Sequence, residues 1–162
     1  MGKKFSRKIE IRRARKGDLR ILIAFSDHFS DYHHRLDPLF KGGAETHEAT
    51  RKIFIASLSN PKKRLLVAVV GKGIAGYCLG EIIASDFPTR YKEAGYLTYV
   101  YVRDEYRRTG IGGHLLRHLF RWFREKKLSY AELSVHSKNE LGLRAWQKFG
   151  FREYARRMRI RL

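Results

Sequence analysis

The residues best suited to chemistry run from Arg107 to Gly113, Arg-Arg-Thr-Gly-Ile-Gly-Gly. Glycines let a backbone approach a ligand closely, and the first amides of a helix have no intrahelical acceptor. A glycine loop that opens a helix therefore presents N–H donors with the positive end of the helix dipole behind them. That combination holds phosphate oxygens, and the guanidinium groups of Arg107 and Arg108 add charge-assisted donors at its rim. A pyrophosphate cradle is the implied chemistry, provided that the loop lies between a strand and a helix. Gly71-x-Gly73-x-x-Gly76 also matches a dinucleotide-binding pattern. The residues that follow it read as strand rather than helix, so we assign it to a hairpin turn. His33 and His34 have no further partners at metal-ligand spacing, and no metal site is expected. Cys78 is the only cysteine and falls in an expected strand, which excludes a disulfide framework and argues against a thiol nucleophile.

Hydrophobic periodicity sets the elements that must position this loop. Residues 8–13 alternate as a half-buried strand does, and Asp18 is the expected N-cap of a helix over 19–29. A polar, His-rich connection ends at Asp37-Pro38, and a second helix over 46–58 stops at Asn60-Pro61. Strands over 64–70 and 74–84 flank Gly71-Lys72-Gly73 as a hairpin. A strand over 95–102 feeds the glycine loop, and an amphipathic helix over 111–126 follows it. A strand over 130–136, a short helix over 139–149 and a final extended segment over 151–162 complete the order. Hairpins mixed with a strand-helix-strand unit indicate an α/β sheet with helices packed on it, in a single domain over 1–162.

The composition agrees with one domain: 162 residues, 43% of them apolar, with 35 Lys+Arg against 16 Asp+Glu and a formal charge of +19. No apolar run approaches the roughly 18 residues of a membrane span, and no apolar signal-peptide core follows the charged start, so a reducing cytoplasm is the expected location. Met1-Gly2 with Ser6 fits an N-myristoylation pattern, against which stands a plain solvated basic tail. The excess charge predicts attraction to nucleic acid, a membrane surface or a phosphorylated cofactor. It gathers in a stripe of His114, Arg117, His118, Arg121 and Arg124, in the arginines after Phe151, and at the amino end. No recognisable nucleic-acid module accompanies it, so electrostatic association with RNA or the ribosome is expected only as a secondary property.

Arg107 to Gly112 fits the pattern Arg/Gln-x-x-Gly-x-Gly/Ala, and through it the chain resembles the GCN5-related N-acetyltransferases, the GNAT family. Residues 97–102 look like that family's fourth strand. Leu133-Ser-Val-His-Ser-Lys-Asn139 looks like its fifth strand and the asparagine after it, and Ala145-Trp-Gln-Lys-Phe-Gly-Phe151 like its closing helix end. The likeness covers about residues 64–162; the first 63 match only in strand-helix-helix order. It implies a mixed, mostly antiparallel sheet with splayed fourth and fifth strands and flanking helices, and acetyl-CoA as co-substrate. It further implies that the backbone of Val100, Tyr101 and Val102 pairs with the pantetheine arm, and that the amides of Arg108, Thr109, Gly110, Ile111, Gly112 and Gly113, with Arg107 at the rim, hold the pyrophosphate. Asn139 would bond the pantetheine region.

The tyrosine that commonly protonates the leaving thiolate is replaced here by Trp146, whose indole N–H donates but does not give up its proton; packing against the cofactor or the core is its expected role. Tyr96 on the fourth strand and His136 on the fifth are the candidates for moving a proton. The implied partner is an amine acceptor, a protein N-terminus, a lysine or a small amine. The strongly positive surface favours neutral or anionic acceptors. A homodimer is compatible with the likeness. The alternative is a basic RNA- or ribosome-associated protein that keeps an acyl-CoA-binding fold with little catalysis.

Overall fold

The computed structural model describes residues 8–85 and 87–162. The Met1-Gly2 myristoylation pattern and Lys3, Lys4 and Arg7 lie outside the described residues. Five strands, β1 (Ile9–Arg13), β2 (Lys63–Val70), β3 (Gly73–Ala84), β4 (Glu93–Val102) and β5 (Ala131–Glu132), form one sheet in the order 1-2-3-4-5. All neighbours are antiparallel except β4 and β5, which are parallel. Alternation along β2 sends successive side chains to opposite faces. Leu65 and Val67 join Leu22, Ile23, Phe25 and Phe54 on one face, whereas Leu66 and Ala68 join Leu115, Leu116, Leu119, Trp122 and Phe123 on the other. Both faces are therefore covered: α1 (Leu19–Leu36) and α2 (Gly43–Ser59) lie on one side, α3 (Ile111–Glu125) on the other. A fourth helix, α4 (Glu140–Lys148), follows β5. The Gly71-Lys72 turn joins β2 to β3, as expected for a hairpin.

Four local expectations are corrected. The first helix continues past Phe29 to Leu36, because nothing breaks it before Pro38, which disfavours helical backbone at Asp37 and leaves it extended at φ −150°, ψ 108°. His33 and His34 therefore stand on α1, and His33 Nδ1 meets the Phe29 carbonyl oxygen at 2.9 Å. The second helix begins at Gly43 rather than Thr46, since Glu45 reaches back to accept from the Gly42 N–H. Asp18 holds the N-cap position of α1, as expected, but its side chain makes no capping bond to that helix. Its carboxylate accepts from the Arg15 N–H at 2.7 Å and from both terminal nitrogens of Arg12, closing the single 3-10 turn that precedes the helix. Finally, the strand expected over 130–136 pairs only at Ala131 and Glu132, and residues 151–162 pair with no strand.

The two helices on one face meet at Gly43. Its N–H donates to Asp31 Oδ1 at 2.7 Å, so a carboxylate of α1 neutralises the positive end of α2. A Cβ at this position would fall 2.6 Å from the Asp27 carbonyl oxygen and 2.7 Å from its Cα, and backbone atoms cannot give way as a flexible side chain does. Gly43→Ala is therefore expected to destabilise the fold by about 2–3 kcal/mol, at the upper end of overpacking effects. Urea unfolding would read this as a lower midpoint with an unchanged slope.

Candidate active site

The central feature begins with one extra residue. Leu79 pairs with Tyr99 and Gly80 with Leu97, so Thr98 bulges out of β4. A bulge bends its strand and inverts the phase of everything beyond it. Before the bulge, the Gly95 N–H donates to the Tyr130 carbonyl on the β5 side. After it, the Arg103 N–H donates to Ala75 of β3 at 2.9 Å. Alternation then turns the backbone groups of Val100 and Val102 away from β3, toward the β5 side. There β5 no longer follows, because its pairing with β4 ends at Tyr96 and Glu132. A stretch of β4 edge is left facing an opening that no strand among the described residues fills.

Tyr101 falls in the other phase. Its ring stacks on Phe25 at 5.1 Å between centroids, on the α1 face, and its backbone is directed to β3. Of the three residues expected to pair with the pantetheine arm, the backbone groups of Val100 and Val102 are turned to the opening, whereas Tyr101 is partly buried against the α1-side core.

The same edge runs directly into the glycine loop. A single 3-10 turn at Asp104–Tyr106 leads to Arg107, and the chain then takes two left-handed steps, Arg108 at φ 61° and Gly110 at φ 90°. Thr109 fixes the loop by donating its hydroxyl to the Tyr106 carbonyl at 2.5 Å. Gly110 is the N-cap of α3 and supplies no side chain, and the first turn holds no acid. The first intrahelical bond runs from His114 N–H to the Gly110 carbonyl, which leaves the amides of Ile111, Gly112 and Gly113 without helical acceptors.

Arg107 is exposed but bonded within the protein: its Nε donates to the Val102 carbonyl at 3.2 Å and its guanidinium pairs with Asp104 at 2.6 Å. It ties the loop to the end of β4. Arg108, exposed, is the guanidinium left at the rim. On α3, desolvation and the neighbouring Arg117 lower the pKa of His114, so this member of the basic stripe stays neutral near pH 7.

On the α1 side of the opening, Tyr96 and Ser134 join across the splay, hydroxyl to hydroxyl at 3.0 Å. Thr98 donates to Glu81 at 2.7 Å, and Glu81 pairs with Lys63. His136 lies two residues beyond Ser134 with both ring nitrogens turned to protein groups. Nδ1 accepts from the Lys138 N–H at 3.1 Å, and Nε2 stands 3.5 Å from Asp37 Oδ2. Asn139 caps α4, accepting through Oδ1 from the Gly142 N–H and the Tyr32 hydroxyl. Trp146 packs into the α3-side core against Phe151. Cys78 is fully buried, and its thiol pKa is driven up by desolvation, which makes it inert as a nucleophile.

Three carboxylates on this face went unnoticed in the sequence: Glu81, Glu132 and Asp37. Glu132 accepts from the hydroxyls of Tyr91 at 2.6 Å and Tyr154 at 2.9 Å. Asp37 accepts from Arg159 at 2.5 Å and from the Leu39 N–H. The Arg159 bond, helped by Leu39, holds the Asp37 carboxyl at a pKa of about 2. A separate apolar cleft of about 250 Å³, lined by Phe120, Phe123, Tyr130 and Phe151, lies at the far end of α3 from the glycine loop.

Comparison with known proteins places this geometry. No curated protein matches the chain in sequence. Its fold recurs in a mutant of the BH1408 protein from Bacillus halodurans, with a TM-score of 0.84 at 20% identity, covering 94% of this chain and 99% of that one. It recurs in a predicted acetyltransferase from Clostridium acetobutylicum solved with acetyl-CoA, with a TM-score of 0.73 at 19% identity over 95% and 96% of the two chains. The aminoglycoside 6'-N-acetyltransferase AAC(6')-Ih from Acinetobacter baumannii superposes with a TM-score of 0.75 at 16% identity, over 96% and 98%. The model for the acetyltransferase (GNAT) family matches residues 24–151 and so takes in the bulged β4, the glycine loop and α4 together: the chain belongs to the GNAT acetyltransferase family.

Proposed function

We propose that the chain is an acetyl-CoA-dependent N-acetyltransferase that moves the acetyl group directly onto a primary amine. The observation that carries this reading is the continuity of the open β4 edge with the uncapped start of α3: a strand-like acceptor and donor surface leads without interruption into an anion cradle. That shape fits an extended amide-bearing arm ending in a pyrophosphate. Acetyl-CoA, when bound, supplies the activated acetyl thioester.

The amides of Gly110, Ile111, Gly112 and Gly113, with Arg108 beside them, would hold the pyrophosphate. The Val100 carbonyl and the Val102 N–H would pair with the pantetheine arm; the Val102 carbonyl already accepts from Arg107. Asn139, with Oδ1 occupied, has its amide nitrogen left to donate. A backbone N–H at Val100, just past the bulge, would steady the charge that develops on the carbonyl oxygen. Tyr96 and Ser134 would pass a proton across the opening. The inert Cys78 thiol supports direct transfer over an acyl-enzyme.

A thermal-shift titration tests the reading. At a hundredfold excess over Kd, a ligand specific for the folded state stabilises it by about 2.7 kcal/mol, a rise of roughly 5–10 °C for a chain of this size. No rise with acetyl-CoA would sink the proposal. Release of free CoA on adding amines would establish transfer. Stabilisation without release across a panel of N-terminal peptides, lysine and small amines would favour an acyl-CoA-binding RNA-associated protein instead.

A further inference from the structure

Asp37 and Glu132 are the two buried carboxylates among the described residues. They differ in what holds them. Glu132 is held by the hydroxyls of Tyr91 and Tyr154, while Asp37 Oδ2 carries a guanidinium from the same exposed segment as Tyr154, which anchors that segment on Glu132 and Phe87. The Arg159 side chain is 60% exposed against 12% for Asp37, and residues 152–162 are exposed throughout with no strand partner. The seat is built, and its occupant reaches it through a side chain open to solvent. Asp37 Oδ1 is spent on the Leu39 N–H, so Oδ2 is the oxygen turned to the open side, shared by Arg159 and His136.

The location of the seat ties it to the acceptor. Asp37 touches His136, which is two residues from Ser134, and Ser134 bonds Tyr96 across the splay. Asp37 and Tyr96 are thus linked through His136 and Ser134 along one side of the opening. Long-range repulsion from a +19 surface is screened over about 8–10 Å of salt solution, whereas a charge in a half-dry recess is felt at close range.

We propose that Asp37 is the binding seat for a second positive charge on the acceptor, and that Arg159 fills this seat until such an acceptor displaces it. The inference rests on the acetyl-transfer reading and narrows its acceptor to a diamine: a reacting amine with a second cationic group a few carbons away. It runs against the preference for neutral or anionic acceptors that the net charge alone implies.

The test uses the full chain with saturating acetyl-CoA, propane- to heptane-diamines and the matching monoamines, read as initial rates of CoA release. The expected result is a chain-length optimum for the diamines in kcat/KM. Asp37→Asn, isosteric with the native residue, is expected to lower the diamine-to-monoamine ratio by about tenfold or more, the usual scale of a lost charge-assisted bond. Arg159→Ala, a change on the exposed segment, is expected to raise the ratio several-fold by lowering the diamine KM. The proposal is overturned if Asp37→Asn leaves the ratio unchanged or if Arg159→Ala shows no diamine preference. Where no alkylamine is consumed, the same comparison is read as the melting temperature of the CoA-saturated protein. The absence of a diamine-specific rise in Arg159→Ala overturns the proposal there too. Loss of the acetyl-CoA shift itself counts against the acetyl-transfer reading and not against Asp37.

Discussion

Gly110→Asp is expected to abolish acetyl-CoA binding while leaving the fold standing. Gly110 sits at φ 90°, a conformation that an L side chain adopts only with strain, yet a Cβ there would meet nothing within 4 Å. The penalty is conformational, about 1–2 kcal/mol, and no packing is disturbed. Aspartate at an N-cap also recovers part of this, because its carboxylate accepts from the first amides of the helix. That recovery is what removes the ligand. The substituted carboxylate would occupy the amide donors proposed for the pyrophosphate and place a negative charge where two more must come. Loss of two or three charge-assisted bonds at about 1.5–3 kcal/mol each lowers affinity by well over a hundredfold. Isothermal titration would show no measurable heat, and the ligand-free melting temperature would move by only a few degrees. Gly110→Ala separates the two causes, since it carries the strain without the charge and is expected to weaken binding by about tenfold. A Gly110→Asp protein that binds acetyl-CoA within a few-fold of the native chain would remove the loop from the cofactor site.

What the sequence made legible was the part whose signal is local. The period of α3, the glycines before it and the strand leading into it each stand within a few residues, and the structure has them within a residue or two of their expected bounds. The opening beside them was not legible except by likeness. Residues 130–136 alternate as a strand, but alternation reports which face a side chain takes, not whether the backbone finds a partner. The bulge at Thr98 is equally silent, because one extra residue leaves a run of β-formers looking like any other. Its effect is nevertheless large: it puts the backbone groups of Val100 and Val102 in the phase of the opening and sends Tyr101 against the α1-side core. The polar end of α1 read as a connection because its histidines and aspartates suit a loop as well as a solvated helix face. Asp37 then looked like a chain break beside Pro38. Its partner Arg159 lies 122 residues away, in a segment that read only as a final extended stretch.

Tyr96→Phe is expected to lower kcat by about a hundredfold with the acetyl-CoA affinity unchanged. Direct transfer requires the amine to lose a proton and the departing sulfur to gain one, and the Trp146 indole on α4 holds no transferable proton. His136 is committed on both ring nitrogens, to the Lys138 N–H and toward Asp37. Tyr96 is committed to a single hydroxyl, that of Ser134, and this pair spans the point where β4 and β5 part. A phenol and a serine hydroxyl in contact can hand a proton along, and removal of a positioned proton carrier removes factors of about 10²–10⁴ in rate. Phenylalanine keeps the ring and its packing, so a structural role alone predicts no loss of turnover. Ser134→Ala leaves the phenol in place and is expected to cost less than Tyr96→Phe. His136→Ala is expected to act through the Asp37 contact and to appear in the acceptor KM. The pH profile of kcat distinguishes these cases: Tyr96→Phe should remove one limb, whereas His136→Ala should leave its shape intact. Full turnover by Tyr96→Phe together with a lost limb in His136→Ala would transfer the proton path to the histidine.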